Sequence, residues 1–289
     1  MKEIVVISGK GGTGKTSITA SLAYLAKQEV IVADCDVDAA DLHLLLSPEE
    51  TVAHDFYSGY LAQIDNEKCT GCNRCKEVCR FGAIEVKAGD YKVLPLECEG
   101  CGYCDEICPV DAIEMEEQNI GEWYISKTKV DSSMVHASLQ IGAENSGKLV
   151  TRVKNEATNL AEEKSLNKVL VDGSPGIGCP VIASLSGADY VLLVAEPTNS
   201  GFHDMKRVYN LVEKFDIPAG CVINKADLNV ELTTEIKNFI RKNEITNFGE
   251  IPYDDAFTEQ MTEGKTIVEA ENNEIKDQLV EIWNKIKSN

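Results

Sequence analysis

The chain has 289 residues, of which 43% are hydrophobic, and this is enough for a sizeable core in one or two domains. A formal net charge of −20 argues against a nucleic-acid partner, because most of the surface would repel a phosphate backbone. The sequence has no apolar run of eighteen residues and no signal peptide, so we expect a cytoplasmic protein without a membrane-spanning helix.

The first part of the chain has the pattern of a β-α-β unit. Residues 3–8 are typical of a buried strand, followed by a glycine-rich loop, a helix from about Lys15 to Lys27, and a second strand at 29–34. The alternation resumes with three strands that each end in polar residues, at 168–173, 190–197 and 219–227. We predict an α/β fold with a doubly wound, mostly parallel sheet and a ligand site at the carboxyl ends of the strands.

The loop after the first strand fits the phosphate-binding pattern G-x-x-x-x-G-K-[ST]. In such a loop, backbone N–H groups turn towards phosphate oxygens, Lys15 reaches the outer phosphates, and Thr16 binds Mg²⁺. Its position between a strand and a helix favours this function over a structural turn. The predicted nucleotide-binding residues here are Gly9, Lys10, Gly11, Gly12, Thr13, Gly14, Lys15, Thr16 and Ser17.

Other strand ends carry further candidates. Carboxylates follow the second strand at Asp34, Asp36 and Asp38, where they can hold Mg²⁺ or orient the attacking water. Asp172 ends a later strand in the stretch VDGSPGIG, which is the place for a carboxylate near the metal. Asp34, Asp38 and also Asp41 are either close to the metal or simply solvated.

The stretch INKAD offers candidates for binding the nucleotide base. Asn224 and Asp227 resemble the base-reading motif of GTPases, in which the aspartate accepts hydrogen bonds from guanine. Pro252 follows a later strand and is a candidate wall of the base pocket, although an ordinary loop is the alternative. These residues leave ATP and GTP open.

Eleven cysteines, eight of them between residues 69 and 108, indicate metal binding rather than disulfides in a cytosolic chain. The spacing C-x₂-C-x₂-C-x₃-C occurs twice, offset by 29 residues, as in bacterial ferredoxins in which each fourth cysteine ligates the other cluster. Zinc fits less well, because zinc sites favour paired C-x₂-C knuckles. The predicted [4Fe-4S] ligands are Cys69, Cys72, Cys75 and Cys108 for one cluster, and Cys79, Cys98, Cys101 and Cys104 for the other.

The cysteine repeat interrupts the α/β pattern, which predicts two domains. We expect a P-loop NTPase domain of residues 1–58 and 116–289, with an inserted α+β ferredoxin domain at 59–115. Of the remaining cysteines, Cys35 and Cys221 favour core packing. Cys179 is either packed or a possible extra metal ligand, because it follows the stretch VDGSPGIG.

The C-terminal sequence predicts an amphipathic helix, with apolar residues at helical spacing: Ile275, Leu279, Ile282 and Ile286. Its acidic and basic residues are balanced, so an anionic membrane would gain little from binding it. We therefore expect this helix to dock on the core of its own domain, and we regard membrane binding as disfavoured.

The loop K-G-G-T-G-K-T at residues 10–16 resembles the deviant Walker A loop of the MinD/ParA/nitrogenase-iron-protein class. Together with the cysteine runs, it makes the whole chain similar to MinD-superfamily P-loop ATPases that contain an inserted ferredoxin domain. The resemblance implies ATP or ADP with Mg²⁺, in preference to GTP, and a homodimer closed over nucleotide. It also implies the catalytic residues: Lys10 crossing to the partner's nucleotide, Lys15 on the phosphates, Asp36 orienting water, and Asp172 supporting Mg²⁺ with Thr16 and Asp36.

The resemblance allows three functions. The first is an ATPase that drives electron transfer from its clusters to an unknown redox partner, as in the nitrogenase iron protein. The second is a carrier or maturation factor for iron–sulfur clusters or metal centres, like the Mrp-type proteins, with a maturation partner. The third is a positioning switch like ParA. We predict the first, because the eight cluster ligands would otherwise be merely structural.

Overall fold

The computed structural model describes residues 1–140, 142, 145–271 and 274–288. Eleven strands form among these residues: β1 (Lys2–Ile7), β2 (Ile31–Asp34), β3 (Glu50–Ile64), β4 (Ile84–Lys87), β5 (Asp90–Val93), β6 (Ile113–Lys127), β7 (Ser133–Leu139), β8 (Lys168–Asp172), β9 (Tyr190–Ala195), β10 (Ala219–Asn224) and β11 (Thr246–Ile251). The described helices are α1 (Lys15–Ala26), α2 (Leu42–Leu46), α3 (Arg74–Val78), α4 (Tyr103–Glu106), α5 (Ser146–Glu163), α6 (Cys179–Leu185), α7 (Asn199–Lys214), α8 (Val230–Lys242), α9 (Ala256–Thr262) and α10 (Glu274–Ser288). Short 3₁₀ turns occur at Lys27–Glu29, Pro95–Glu97 and Ile267–Glu269.

The main sheet has the strand order β11-β10-β9-β1-β8-β2-β7-β6-β3. Each neighbouring pair from β11 to β7 is parallel, and β1 lies in the middle of this run between β8 and β9. Parallel strands end at the same edge of a sheet, so the carboxyl ends of β1, β2, β8 and β10 all open on one side. The predicted α/β class with a mostly parallel sheet is confirmed.

Helices cover both faces of the sheet. Ile4 and Val6 of β1 belong to a core cluster with Leu22 of α1 and Leu279 of α10. Side chains alternate along a strand, so the fully buried Val5 faces the other side, where α5 to α8 contact the strands. The docking predicted for the C-terminal helix is confirmed, because its apolar face is buried in this core.

The two longest strands, β3 and β6, were not fully predicted from the sequence. Each has 15 residues, but only a minority of their side chains are buried. Because most side chains face solvent, these strands lack the regular apolar alternation that identifies a strand in a sequence. Their place in the sheet is set by pairing with neighbouring strands rather than by their own composition.

The chain divides into two compact units. The larger unit comprises residues 1–54, 122–139 and 146–289, and the cysteine-rich unit comprises residues 55–121 together with 140–145, of which 141, 143 and 144 lie outside the described residues. The chain passes from one unit to the other within β3 and within β6. Among the residues that the structure describes, no helix is long and apolar enough to span a bilayer.

The sequence repeat of the cysteine-rich unit is also a backbone repeat. Helices α3 and α4 begin 29 residues apart, and each is preceded by a residue in the left-handed region, Asn73 (φ 65°) and Gly102 (φ 75°). Gly71 (φ 69°) and Gly100 (φ 62°) form a second matching pair at the same offset. Left-handed backbone is costly except for Gly and Asn, so these residue types fix the two turns around the cysteines.

The histidine His136 of β7 makes the stability of the larger unit depend on pH. Burial, with His43 nearby, lowers the pKa of His136 to about 4, from an ordinary value of about 6.5. The unfolded chain therefore binds more protons between these pH values. Stability is fully present above pH 6.5 and is lost as the pH falls towards 4, by up to about 3 kcal/mol at 1.36 kcal/mol per pKa unit.

We expect His136→Gln to reduce this loss, measured by urea unfolding at several pH values between 4 and 7. Subtracting the variant curve from the wild-type curve removes the contribution of all other titrating groups. A difference that stays constant over this range would contradict the assignment to His136.

Candidate functional sites

The glycine loop between β1 and α1 is closely enclosed by other strand ends. Gly12 (φ 79°) and Gly14 (φ 88°) take backbone conformations that side chains other than glycine rarely adopt. A Cβ atom on Gly14 would collide with the side-chain amide of Asn224, and one on Gly9 with the backbone of Asp204. The loop therefore needs glycine both for its turns and for close packing.

Asp172, at the end of β8, holds the start of α1 through three side chains. Its Oδ2 lies 2.7 Å from Lys15 Nζ and accepts a 2.8 Å hydrogen bond from Thr16 Oγ1. Its Oδ1 accepts a 2.7 Å bond from Thr19 Oγ1, one turn further along the helix. Burial alone would lower the pKa of Lys15, but the adjacent carboxylate of Asp172 raises it above its ordinary value. Lys15 therefore stays charged inside the protein.

Two further carboxylates approach the same lysine. Asp34 of β2 lies beside Asp172 in the parallel pairing of β2 with β8, and Asp36 lies 3.8 Å from Lys15 Nζ. Burial and the charge of Asp172 raise the pKa of Asp34 to about 8, and burial also raises the pKa of Asp36 to about 6. These two acids carry excess negative potential that a further cation would relieve.

The segments after β2 and β8 are tied to each other and to β1. Ser174 Oγ donates a 2.7 Å hydrogen bond to the carbonyl of Cys35, and Gly176 N–H donates a 3.0 Å bond to the carbonyl of Ser8. Asp38 and Asp41, in contrast, are exposed to solvent. Of the three carboxylates that the sequence left open, only Asp34 is brought to the lysine.

Lys10 contacts side chains of its own chain. Its Nζ donates to Thr198 Oγ1 at 3.1 Å and Ser200 Oγ at 3.2 Å, and it lies 3.4 Å from Glu196 Oε1. The other oxygen of this buried glutamate lies 3.4 Å from Lys225 Nζ. Glu196 thus bridges Lys10 of the glycine loop and Lys225, which follows β10.

The residues of the INKAD stretch support the loop from another side. Asn224 Nδ2 donates to the carbonyl of Thr13 at 2.8 Å, and Lys225 Nζ donates to the carbonyl of Gly12 at 2.9 Å. Asp227 Oδ1 accepts a 2.6 Å bond from the N–H of Tyr253, next to Pro252 at the end of β11. The predicted base-binding residues therefore lie around the loop at the ends of β10 and β11.

The donor set fits a nucleotide with Mg²⁺. Two buried atoms at the loop, Thr13 Oγ1 and Asn224 Oδ1, have no hydrogen-bond partner among the described residues, although buried polar atoms usually have one. Thr16 and Asp36 offer the oxygen ligands that Mg²⁺ prefers, and Asp172 offers another within bonding distance of Thr16. Mg²⁺ bound in this way normally completes its shell with water and phosphate oxygens.

The cysteine-rich unit contains two cavities, each lined by four cysteines. The Cys69 cavity is lined by Cys69, Cys72, Cys75 and Cys108, and the Cys98 cavity is lined by Cys79, Cys98, Cys101 and Cys104. The structure thus brings together the same two sets of four that the spacing predicts, with the last cysteine of each run lying among the first three of the other. The eight thiols are free.

Both cavities are open to solvent. The Cys69 and Cys98 cavities enclose about 330 and 390 Å³, respectively, when their open mouths are included. Across residues 1–140, 142, 145–271 and 274–288, no three His, Cys, Asp or Glu side chains converge as ligands of a single ion. The backbone N–H of Ala112 donates to Cys108 Sγ at 3.3 Å. In iron–sulfur proteins, such bonds help to set the reduction potential of the cluster.

The three remaining cysteines differ in exposure. Cys35 and Cys221 are fully buried, which confirms the prediction that they pack in the core. Cys179 begins α6 and is exposed, so core packing does not account for it. Its function as an extra ligand stays a prediction.

Two residues of the phosphate site were missed by the sequence analysis. Thr19 could have been found because it lies four residues after Lys15 on one helix face. Glu196 carries no comparable signal, since its contacts with Lys10 and Lys225 join strand ends far apart in the chain. Lys225 belongs to the predicted motif Asn224-Lys225-x-Asp227, but its contact with the loop was not predicted.

The sequence is similar to a known family of nucleotide-binding domains and to a protein of similar length. A model of the CobQ/CobB/MinD/ParA nucleotide binding domain matches residues 4–267. An uncharacterized protein of Methanocaldococcus jannaschii is 33% identical over 288 residues, which cover 99% of this chain and 96% of that protein.

Solved structures share the fold at lower identity. The MinC:MinD cell division protein complex of Aquifex aeolicus has a TM-score of 0.60 at 19% identity, over 100% of this chain and 96% of the matched chain. The septum site-determining protein MinD of Pyrococcus horikoshii, complexed with Mg-ADP, has a TM-score of 0.60 at 16% identity, covering 99% of this chain and 95% of its own.

We expect Lys15→Ala to destabilise the protein by about 3 kcal/mol and to abolish nucleotide binding, because it leaves Asp172 buried without its cation. The double variant Lys15→Ala/Asp172→Asn should recover part of the stability but none of the binding. Urea unfolding and calorimetric titration with Mg-ATP measure the two effects. Equal stability of the single and double variants would contradict the pairing of Lys15 with Asp172.

Proposed function

We propose that this chain couples nucleotide-driven dimerisation to electron transfer through two [4Fe-4S] clusters. The chain belongs to the CobQ/CobB/MinD/ParA family of nucleotide-binding proteins and is a P-loop ATPase. The observation that carries the proposal is the pair of four-cysteine cavities in the same chain as the phosphate loop. The recipient of the electrons is a separate redox partner protein.

At the phosphate loop, Lys15 has two alternative partners. It is now paired with Asp172, and it would turn to the phosphates when ATP binds. That movement would leave Asp172, Asp34 and Asp36 without their cation. Bound Mg²⁺ would then supply the compensating charge, held by Thr16 and the carboxylates. Nucleotide and metal are therefore expected to bind together. Asp36, whose side chain is 15% exposed and lies 3.8 Å from Lys15 Nζ, would orient a water molecule.

Lys10 would supply the dimer contact. Its side chain is held by two hydroxyls and by Glu196 in its own chain. Because these contacts are 3.1 to 3.4 Å long and the lysine side chain is 28% exposed, they can exchange for a phosphate of the partner's nucleotide. A charge delivered in trans stabilises the negative transition state in the manner of an arginine finger. The homodimer would then form only when both chains hold ATP.

In the cysteine-rich unit, each cavity would hold one cluster through its four thiolates. Bound clusters would supply one-electron redox chemistry. Burial raises the pKa of the Cys75 and Cys104 thiols, so these side chains must lose their protons when iron binds. The left-handed turns at Gly71 and Gly100 hold the two cysteine loops in matching conformations.

We expect Lys10→Ala to bind Mg-ATP with nearly unchanged affinity but to lose nucleotide-driven dimerisation, because only the trans contact is removed. Analytical ultracentrifugation with Mg-ATP, with ADP and without nucleotide measures the state of association. Lys2→Ala is a control that removes a lysine from the same unit, outside the loop. Normal dimerisation of Lys10→Ala would contradict the trans function of Lys10.

The decisive experiment is an anaerobic redox titration of the reconstituted protein, monitored by EPR, with and without Mg-nucleotide. We expect two clusters per chain and a nucleotide-dependent shift of about 100 mV in their reduction potential, which corresponds to about 2.3 kcal/mol for one electron. Stable clusters without any shift would contradict energy coupling. Clusters that leave on addition of nucleotide would instead indicate a cluster carrier.

A second candidate is a positioning switch of the ParA type. It is favoured by the solved structures, since the similar proteins are named for cell division and septum placement, and in this respect the comparisons support it more directly than electron transfer. In that case the cysteine-rich unit would be structural. Redox-inactive clusters together with ATP-dependent dimerisation would favour this candidate.

A further inference from the structure

We infer that the face of the cysteine-rich unit around the Cys98 cavity docks a redox partner protein whose surface has an apolar centre and a basic rim. The inference rests on the proposed function and deepens it, because it assigns the partner's chemistry and selects one of the two cavities.

Large apolar side chains are exposed at this face. Phe81 and Tyr103 line the Cys98 cavity and are 46% and 55% exposed. Leu96, two residues before Cys98 in a 3₁₀ turn, is 91% exposed, more than any other large hydrophobic side chain among the described residues. Grouped apolar side chains of this kind mark interaction surfaces, and a side chain as exposed as Leu96 contributes little to the fold.

The charges around the two cavities differ. Residues 97–106, which include three cysteines of the Cys98 cavity, carry four acidic side chains and no basic one, whereas residues 67–76, which include three cysteines of the Cys69 cavity, carry three basic and one acidic side chain. Glu99 lines the Cys98 cavity, and Glu97 and Glu106 are exposed nearby in sequence. Arg80, which follows Cys79, is the basic exception in the sequence flanking this cavity. The rim is therefore acidic at the Cys98 cavity and mixed at the other.

The exposed apolar side chains and the acidic rim indicate which kind of molecule can bind at the Cys98 cavity. A second copy of this chain that met this face with its own Cys98 cavity would bring the same acidic rim and would be repelled, as would an anionic membrane. A protein with Lys and Arg around an apolar centre is complementary both to the acidic rim and to Leu96, Phe81 and Tyr103. Exposure of a cysteine alone does not decide between the cavities, because Cys72 and Cys101 are both exposed.

The test compares equal charge changes at the two cavities. Glu99→Lys/Glu106→Lys reverses the rim of the Cys98 cavity. Glu67→Lys/Asp111→Lys makes the same change beside the other cavity, since Asp111 lies between the lining residues Val110 and Ala112. Leu96→Ala removes the apolar anchor, with Leu44→Ala as a control for an exposed leucine of the larger unit (54% exposed). All six positions are exposed, so the variants should fold.

The probe is cytochrome c, a basic protein with an apolar haem edge. Calorimetry gives the Kd of oxidised cytochrome c for the cluster-loaded protein. Stopped-flow absorbance gives the rate at which the cytochrome is reduced. At low salt, we expect Glu99→Lys/Glu106→Lys to weaken binding and slow reduction at least about tenfold, and the control pair to do so less than about threefold. This difference between the two pairs should vanish near 1 M salt, where charges are screened beyond about 3 Å. Leu96→Ala should weaken binding about fivefold at any salt concentration and Leu44→Ala should not.

The outcomes separate this inference from the proposed function. Equal effects of the two charge-reversal pairs, or no effect of either with clusters intact, would overturn the assignment of the docking face and leave the proposed function standing. Iron analysis and EPR of each preparation come first. A wild-type protein that takes up no clusters would overturn the proposed function and this inference with it.

Discussion

The ion pair between Lys15 and Asp172 is the interaction on which the phosphate site depends. It joins the first residue of α1 to the end of β8, 157 residues further along the chain, at a distance of 2.7 Å. Two hydroxyls, those of Thr16 and Thr19, bind the same carboxylate, so the loop, the helix and two strands are fixed together. A buried pair of this kind gains little net stability, but removing one partner leaves a costly charge. This asymmetry explains why the site can respond to a ligand that competes for Lys15.

Around this pair, negative charge exceeds positive charge. Asp34 and Asp36 have raised pKa values because burial opposes their ionisation, and Asp172 adds repulsion. A nucleotide that draws Lys15 away increases the imbalance and so favours entry of a divalent cation. Lys10 and Lys225 lie on the other side of the loop, where Glu196 compensates both. The two sides of the loop thus differ in charge, which suits the phosphates on one side and the metal on the other.

The cysteine-rich unit follows a different principle. Its hydrophobic core is small, with six buried side chains in one cluster of the described residues, among them Cys75. In the proposed cluster-loaded form, a unit of this size would gain much of its stability from the bound clusters, as small metal-binding domains do. Within it, two similar cysteine loops are surrounded by different charges. The backbone repeat therefore conserves the geometry of two sites while the side chains make their surfaces unlike.

Local patterns in the sequence determined much of this protein. The glycine loop, the buried strands β1, β2, β8, β9 and β10, and the two cysteine runs are each encoded within short stretches, because backbone conformation and ligand spacing are local properties. Tertiary structure alone decided that Glu196 lies between Lys10 and Lys225, and that β3 and β6, in which few side chains are buried, join the sheet. These features depend on which strands lie side by side, and that order results from packing the whole core.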